Sequence, residues 1–250
     1  MEMRDINVLH SRFHAIGDWS GRTASSTCIQ MPETPNHTMQ KVFSITQNFA
    51  DFIGSFVKGS GHGLVIQGNQ LWDVKNTAID LIGDNVVTAM RQPLVIKDNV
   101  ITGARLTPAL TSGSPVMYTA IKLENLRNTD VCNNSISNSY KEPMVFNNCN
   151  SLNILNNTLF ESPINPELMG LTDPAYSYLK FDGGTNINVN GNSATPAYLS
   201  DNSTVATAYV ISKASGSIRM GANNMNKAVR FNEYSEFDNY SVFDNTSSHT

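Results

Sequence analysis

Two carboxylates and an amide recur at matched positions of three similar rows. Glu124 stands in Leu123-Glu-Asn-Leu126, Asn147 in Phe146-Asn-Asn-Cys149 and Asp182 in Phe181-Asp-Gly-Gly184. A pair of carboxyl groups is what glycosidic bond cleavage needs: one protonates the leaving oxygen, the other activates water or attacks carbon. If the rows stack as neighbouring strands about 4.8 Å apart, Glu124 and Asp182 have backbones roughly 9–10 Å apart. Side-chain lean then brings the carboxyls into the range of about 6.5–9.5 Å used by inverting enzymes. Asn147 between them is placed to hold a sugar hydroxyl. The plainer alternative is that both acids are solvated at a turn edge.

Other residues carry weaker signals. Asp80 in Ala78-Ile-Asp-Leu-Ile82 is expected to point outward between inward Ile79 and Leu81, as a further candidate acid. Trp72 has two readings: its apolar bulk favours the core, whereas an exposed ring beside Asp73 stacks on a pyranose face. Glu161, Glu167 and Asp173 fall in a long loop. A lyase would need a base for the proton beside a uronate and cations for the developing charge. Lys122, Lys180, Arg127 and Tyr178 are candidates, and Lys122 and Lys180 share an outward column two rows apart. His62 in Gly59-Ser-Gly-His-Gly63 reads as a turn histidine. No clustered aspartates suit calcium. No Ser/His/Asp spacing, phosphate loop or metal-binding histidine set stands out, so no metal or cofactor is expected.

The elements that position these residues are short strands. Leu64-Val-Ile-Gln-Gly-Asn69, Leu94-Val-Ile-Lys-Asp-Asn99, Thr129-Asp-Val-Cys-Asn-Asn134, Leu152-Asn-Ile-Leu-Asn-Asn157 and Ile187-Asn-Val-Asn-Gly-Asn192 repeat one frame, with a weaker copy at Ile218-Arg-Met-Gly-Ala-Asn223. The apolar alternation indicates strands, and the step before each Asn indicates a turn tolerating a left-handed backbone. Strand plus turn, recurring, is a solenoid pattern. Rows starting at Leu123 and Phe146 align with an offset of 23 residues; those at Phe181 and Ser212 follow at 35 and 31. Leu123, Phe146 and Phe181 form one inward column; Val131, Ile154, Val189 and Met220 form another. Cys149 falls where Leu126 falls and fills the core. Asn134, Asn157, Asn192 and Asn223 are expected as a stacked hydrogen-bonded turn rather than as ligand contacts.

Insertions at 103–118, 161–177 and 193–208 account for the longer spacings and emerge along one side, where binding loops collect. Residues 1–40 form an entry segment or cap, 41–225 the solenoid, and 226–250 an aromatic-rich end. There Phe231, Tyr234, Phe237, Tyr240 and Phe243 recur every third residue, as a cap or a subunit contact.

The chain has 250 residues, 15% charged and 40% hydrophobic, with a net charge of −4. That balance, with no Lys/Arg cluster, argues against nucleic acid as a partner. No apolar run suits a signal peptide or a membrane span. Cys28, Cys132 and Cys149 form no Cys-x-x-Cys motif and are expected as free thiols of a chain made in a reducing cytosol.

The apolar-x-apolar-x-Gly/Asp/Asn-Asn rows, over roughly residues 60–225, resemble the pectin-lyase-like right-handed parallel β-helix. With long side loops, abundant Asn, Ser and Thr and no signal peptide, the chain looks most like the β-helix part of bacteriophage tailspikes. That resemblance implies an all-β solenoid forming a homotrimer on a virion tail beside other tail proteins. It implies binding, and usually cleavage, of a bacterial capsule or O-antigen at the cell surface. An endo-acting hydrolase is the preferred activity; a lyase of the same fold and a non-catalytic receptor-binding or structural spike module are the alternatives.

Overall fold

Alternation of side chains across a strand decides which residues enter the core. Leu64–Gln67, Leu94–Lys97, Ile121–Glu124 and Met144–Asn147 each run buried, half-buried, buried, half-buried. The computed structural model describes residues 6–16, 26–31, 43–61, 63–83, 93–103, 117–162, 177–195, 207–212, 215–225, 229–232 and 237–243.

The strands form three wholly parallel sheets of nine, eight and eight. The first holds Ile6–Leu9, Phe43–Thr46, Leu64–Gln67, Leu94–Lys97, Arg127–Cys132, Asn150–Leu155, Thr185–Asn190, Ser215–Gly221 and Phe237–Phe243. The second holds Arg12–Ile16, Phe49–Ile53, Gln70–Val74, Val100–Gly103, Ser135–Ser137, Thr158–Phe160, Ser193–Thr195 and Asn224–Met225. The third holds Thr27–Gln30, Ser55–Ser60, Ile79–Ile82, Ile121–Glu124, Met144–Asn147, Ser177–Asp182, Thr207–Ser212 and Val229–Asn232. The chain visits first, second and third sheets in turn, and each circuit is one rung. This is a right-handed parallel β-helix.

The core is one continuous apolar column. Val131, Ile154, Val189 and Met220 pair in register and are fully buried. Leu123, Phe146 and Phe181 also pair in register, and the two phenyl rings stack at 5.3 Å with an interplanar angle of 18°. Leu126 and Cys149 are both buried.

At the corner between the first and second sheets runs a buried ladder of Asn48, Asn69, Asn99, Asn134, Asn157, Asn192 and Asn223. Asn134 shows its chemistry. Its Nδ2 donates to Asn157 Oδ1 and to the Ile96 carbonyl, both at 3.0 Å. Its Oδ1 accepts from the Asn99 backbone N–H at 3.1 Å and from Asn99 Nδ2 at 2.9 Å. All four hydrogen-bonding positions of the amide are used, which no other side chain of this size offers. The pattern repeats from Asn48 to Asn223, and Ser11 N–H donates to Asn48 Oδ1 below it. The residue before each ladder position is left-handed: Gln47, Gly68, Asp98, Asn133, Asn156, Gly191 and Ala222 all have φ between 49° and 68°.

The expected rows hold except at the last. Ile211, not Ser212, stands over Phe181, and Ser212 pairs with Asp182. The register recovers between Thr185 and Ile187, where Ser215 and Ile218 are the partners. One extra residue there forms a bulge, so a row aligned without gaps back from Asn223 slips by one.

The connections at 104–120, 161–176 and 196–206 all leave the second sheet and return to the third. Two more, 31–42 and 83–93, join the third sheet to the first and were not expected. Strands also lie in both stretches set apart as terminal segments, from Ile6 and up to Phe243. Tyr234, His62, Glu167 and Asp173 lie outside the described residues.

Turn geometry separates two glycines. Gly184 has φ +98°, and a Cβ there would lie 2.1 Å from the Cys149 carbonyl oxygen. Gly68 has φ +65° with its nearest neighbour, Gln47 Cγ, at 3.6 Å, and Asp98 and Asn133 fill the same position in the next rungs. Gly184→Ala is expected to cost about 3 kcal/mol or more, and Gly68→Asn less than about 1 kcal/mol, by thermal and urea unfolding.

Candidate functional site

The third sheet ends each strand at a turn. Asn125 and Asn148 (φ 54° and 50°) and Gly183 (φ 75°) follow Glu124, Asn147 and Asp182. Asn148 Nδ2 donates to Asn125 Oδ1 at 2.9 Å, a short second ladder that ties these turns together. The parallel register places Glu124 beside Asn147 and Asn147 beside Asp182. The stacked Phe146 and Phe181 form the wall behind them.

Two residues back along each strand lies a second outward column. Asp80 pairs with Lys122, Lys122 with Val145, and Val145 with Lys180. Asp80 is outward, between buried Ile79 and Leu81. Lys122 Nζ sits 3.8 Å from both Asp80 Oδ1 and Glu124 Oε2, with all three side chains part-exposed. Such exposed pairs hold geometry more than they stabilise the fold, at roughly 0–1 kcal/mol each.

One face thus gathers Asp80, Lys122, Glu124, Asn147, Lys180 and Asp182. Chemically it offers two carboxylates in one column with an amide between, and two ammonium groups alongside. Comparison with family models, curated proteins and solved structures finds no match for this chain.

Other expected members are elsewhere. Tyr178 has outward parity yet is completely buried, and among the described residues its hydroxyl has no hydrogen-bond partner. Burial pushes that phenol up to about 12. It does not reach the face and is withdrawn from the ligand-contacting set. Trp72 is 50% exposed, which overturns its core reading. With Asp73, which is left-handed at φ 50°, it lies on the second sheet, a different wall. Arg127 begins a strand of the first sheet, and Glu161 follows Thr158–Phe160 at φ 49°. Among the described residues no three His, Cys, Asp or Glu side chains are grouped to hold a metal.

Residues missed in the sequence lie on the second sheet. Arg12, His14, Phe49, Asp51 and Phe52 cluster there with Trp72. Their rungs precede the first full Asn frame at Leu64–Asn69. The one available signal was Asn48, which opens its own ladder position after Ile45 and Gln47.

Cys149 lies directly behind Asn147, with Sγ 3.5 Å from its carbonyl oxygen. Burial pushes the thiol up to about 12, and the Glu124 charge adds to that. An unfolded thiol ionises near about 8.5. Between those two values the unfolded chain loses a proton that the folded chain keeps, so rising pH favours unfolding. Cys28 and Tyr178 are raised by burial in the same sense. The thermal midpoint is expected to fall as pH rises from about 8.5 to 12, the buried Cys149 thiol contributing up to about 1.4 kcal/mol per pH unit. Cys149→Ala is expected to flatten part of that slope; an unchanged slope contradicts the assignment.

Proposed function

We propose that the outer face of the third sheet binds and cleaves a bacterial surface polysaccharide, as an endo-acting glycoside hydrolase of the inverting kind. The observation that supports this is the column Glu124, Asn147, Asp182 on three successive rungs. Two rungs separate the acids by about 9.6 Å of backbone, which leaves room for a water between one carboxyl and the sugar. One carboxyl protonates the glycosidic oxygen while the other removes a proton from that water as it attacks the anomeric carbon. Asn147 holds a hydroxyl of the sugar between them. Lys122, set against both Asp80 and Glu124, positions the Glu124 carboxylate; Lys180 flanks Asp182 and meets acidic or hydroxyl groups of the chain. In this reading the protein is a tailspike-type homotrimer that contacts other proteins of a virion tail and meets capsule or O-antigen at the cell surface.

The test uses purified capsular and O-antigen polysaccharides, with polymer length and new reducing ends as readouts. Glu124→Gln and Asp182→Asn are each expected to lower cleavage by about 10³-fold while polysaccharide binding persists. Full activity in Glu124→Gln contradicts the assignment. Products with the ultraviolet absorbance of an unsaturated uronate would indicate elimination instead of hydrolysis.

A further inference from the structure

The outer face of the second sheet carries, over its first three rungs, a group of aromatic rings, Phe52 and Trp72 exposed and Phe49 half-buried, that the carboxylate face does not use. Register places Arg12 beside Phe49 and Phe49 beside Gln70; one step along, His14 stands beside Asp51 and Asp51 beside Trp72. Trp72 is 50% exposed and Phe52 41%. The Phe49 and Trp72 centroids are 6.3 Å apart at 45°. The Arg12 guanidinium lies 5.2 Å over the Phe49 ring. His14 packs edge-on to Phe52 at 5.7 Å and its Nδ1 lies 2.7 Å from Asp51 Oδ1.

The backbone makes this arrangement. Phe52 and Asp73 occupy the same place in successive rungs, and both are left-handed, with φ 54° and 50°. A left-handed residue breaks the in-and-out alternation. Half-buried Asp51 and exposed Phe52 therefore both precede the inward turn at Ile53, as exposed Trp72 and half-buried Asp73 precede Val74. Left-handed backbone is disfavoured for a bulky residue such as phenylalanine, and an exposed ring gains nothing in the core to offset it.

We propose that Phe49, Phe52 and Trp72, with Arg12, Asp51 and Asp73, form a second carbohydrate-binding site, which takes a pyranose ring of a linear glycan. Steps of about 4.8 Å between rungs and about 6.6 Å along a strand give a ledge the size of one or two sugar rings. A pyranose has an apolar CH face for Trp72 and Phe49 to stack on, and hydroxyls around its rim. Arg12 supplies donors at that rim; Asp51, held by His14, and Asp73 supply acceptors. The interleaved charges speak against a second copy of the chain as occupant, because the centres of protein interfaces are depleted of charged residues. The site stands apart from the acid column and does not depend on it.

The chain has two tryptophans, Trp19 and Trp72. In a Trp19→Phe background, Trp72 emission is titrated with cellohexaose, maltohexaose, chitohexaose and a hyaluronan hexasaccharide, to about 10 mM each. At least one is expected to shift the emission with saturation. In the chain with both tryptophans, calorimetric binding of that sugar should weaken at least about tenfold on Trp72→Ala and remain unchanged in Glu124→Gln. Retained calorimetric affinity in Trp72→Ala, or no response to any of the four sugars, overturns the proposal. So does a change of sedimentation coefficient in Trp72→Ala without sugar, which would make the ledge a subunit contact. Because Glu124→Gln serves as the comparison, failure of this site and failure of the hydrolase reading are read separately.

Discussion

A buried primary amide has two donors and two acceptor positions, and leaving any of them unpaired is costly. Stacked asparagines satisfy them only when each rung lies directly above the last. Asn157 donates to the Val131 carbonyl and to Asn192 Oδ1, both at 2.9 Å, and accepts twice from Asn134 at 3.0 Å. A rung displaced by one residue would turn the apolar set outward and leave the amide facing carbon. The ladder therefore acts as a register device as much as a source of stability. The solenoid can absorb long excursions of chain elsewhere because each rung is re-indexed at this corner.

That indexing is what brings distant acids together. Glu124 and Asp182 are far apart in sequence, and an intervening connection at 161–176 lengthens the separation. The excursion leaves and rejoins at the same corner of the rung, so the third-sheet pairing is undisturbed and Asn147 still bridges the two. Outward positions of a solenoid are free to vary chemically because the core requirement falls only on alternate residues. The second sheet shows the same freedom used differently, with rings and charges uncovered by left-handed residues at Phe52 and Asp73.

Much of this was legible in the residues themselves. The Asn frame carried its strand, its turn and its register, and the columns through Val131 and Leu123 followed from counting. What counting could not supply was any local departure from alternation. Tyr178 has outward parity by counting but belongs to the buried core, because it lies before Leu179, where the pairing with the Met144–Asn147 strand begins. Trp72 is exposed although its size favours a core, because it alternates with buried Leu71; the left-handed Asp73 then lets Val74 turn inward. The slip at Ser212 comes from one bulge, invisible in a row that still ends on a correct Asn223. The first rung was missed because its frame ends on His10-Ser11 rather than on an Asn, and the second, within 41–60, was read as irregular because Gln47 stands where most of the other frames carry Gly, Asp or Asn.

The ladder's role is tested most directly by the thermal midpoint of Asn157→Asp, an isosteric exchange that replaces both donors with an acceptor. A loss of about 3–5 kcal/mol is expected at neutral pH, because a buried charge then faces the Val131 carbonyl and Asn192 Oδ1. Partial recovery is expected in acid, where the protonated carboxyl regains one donor, and little change for Asn156→Asp at the exposed neighbouring position. A midpoint unchanged by Asn157→Asp at neutral pH would contradict that role.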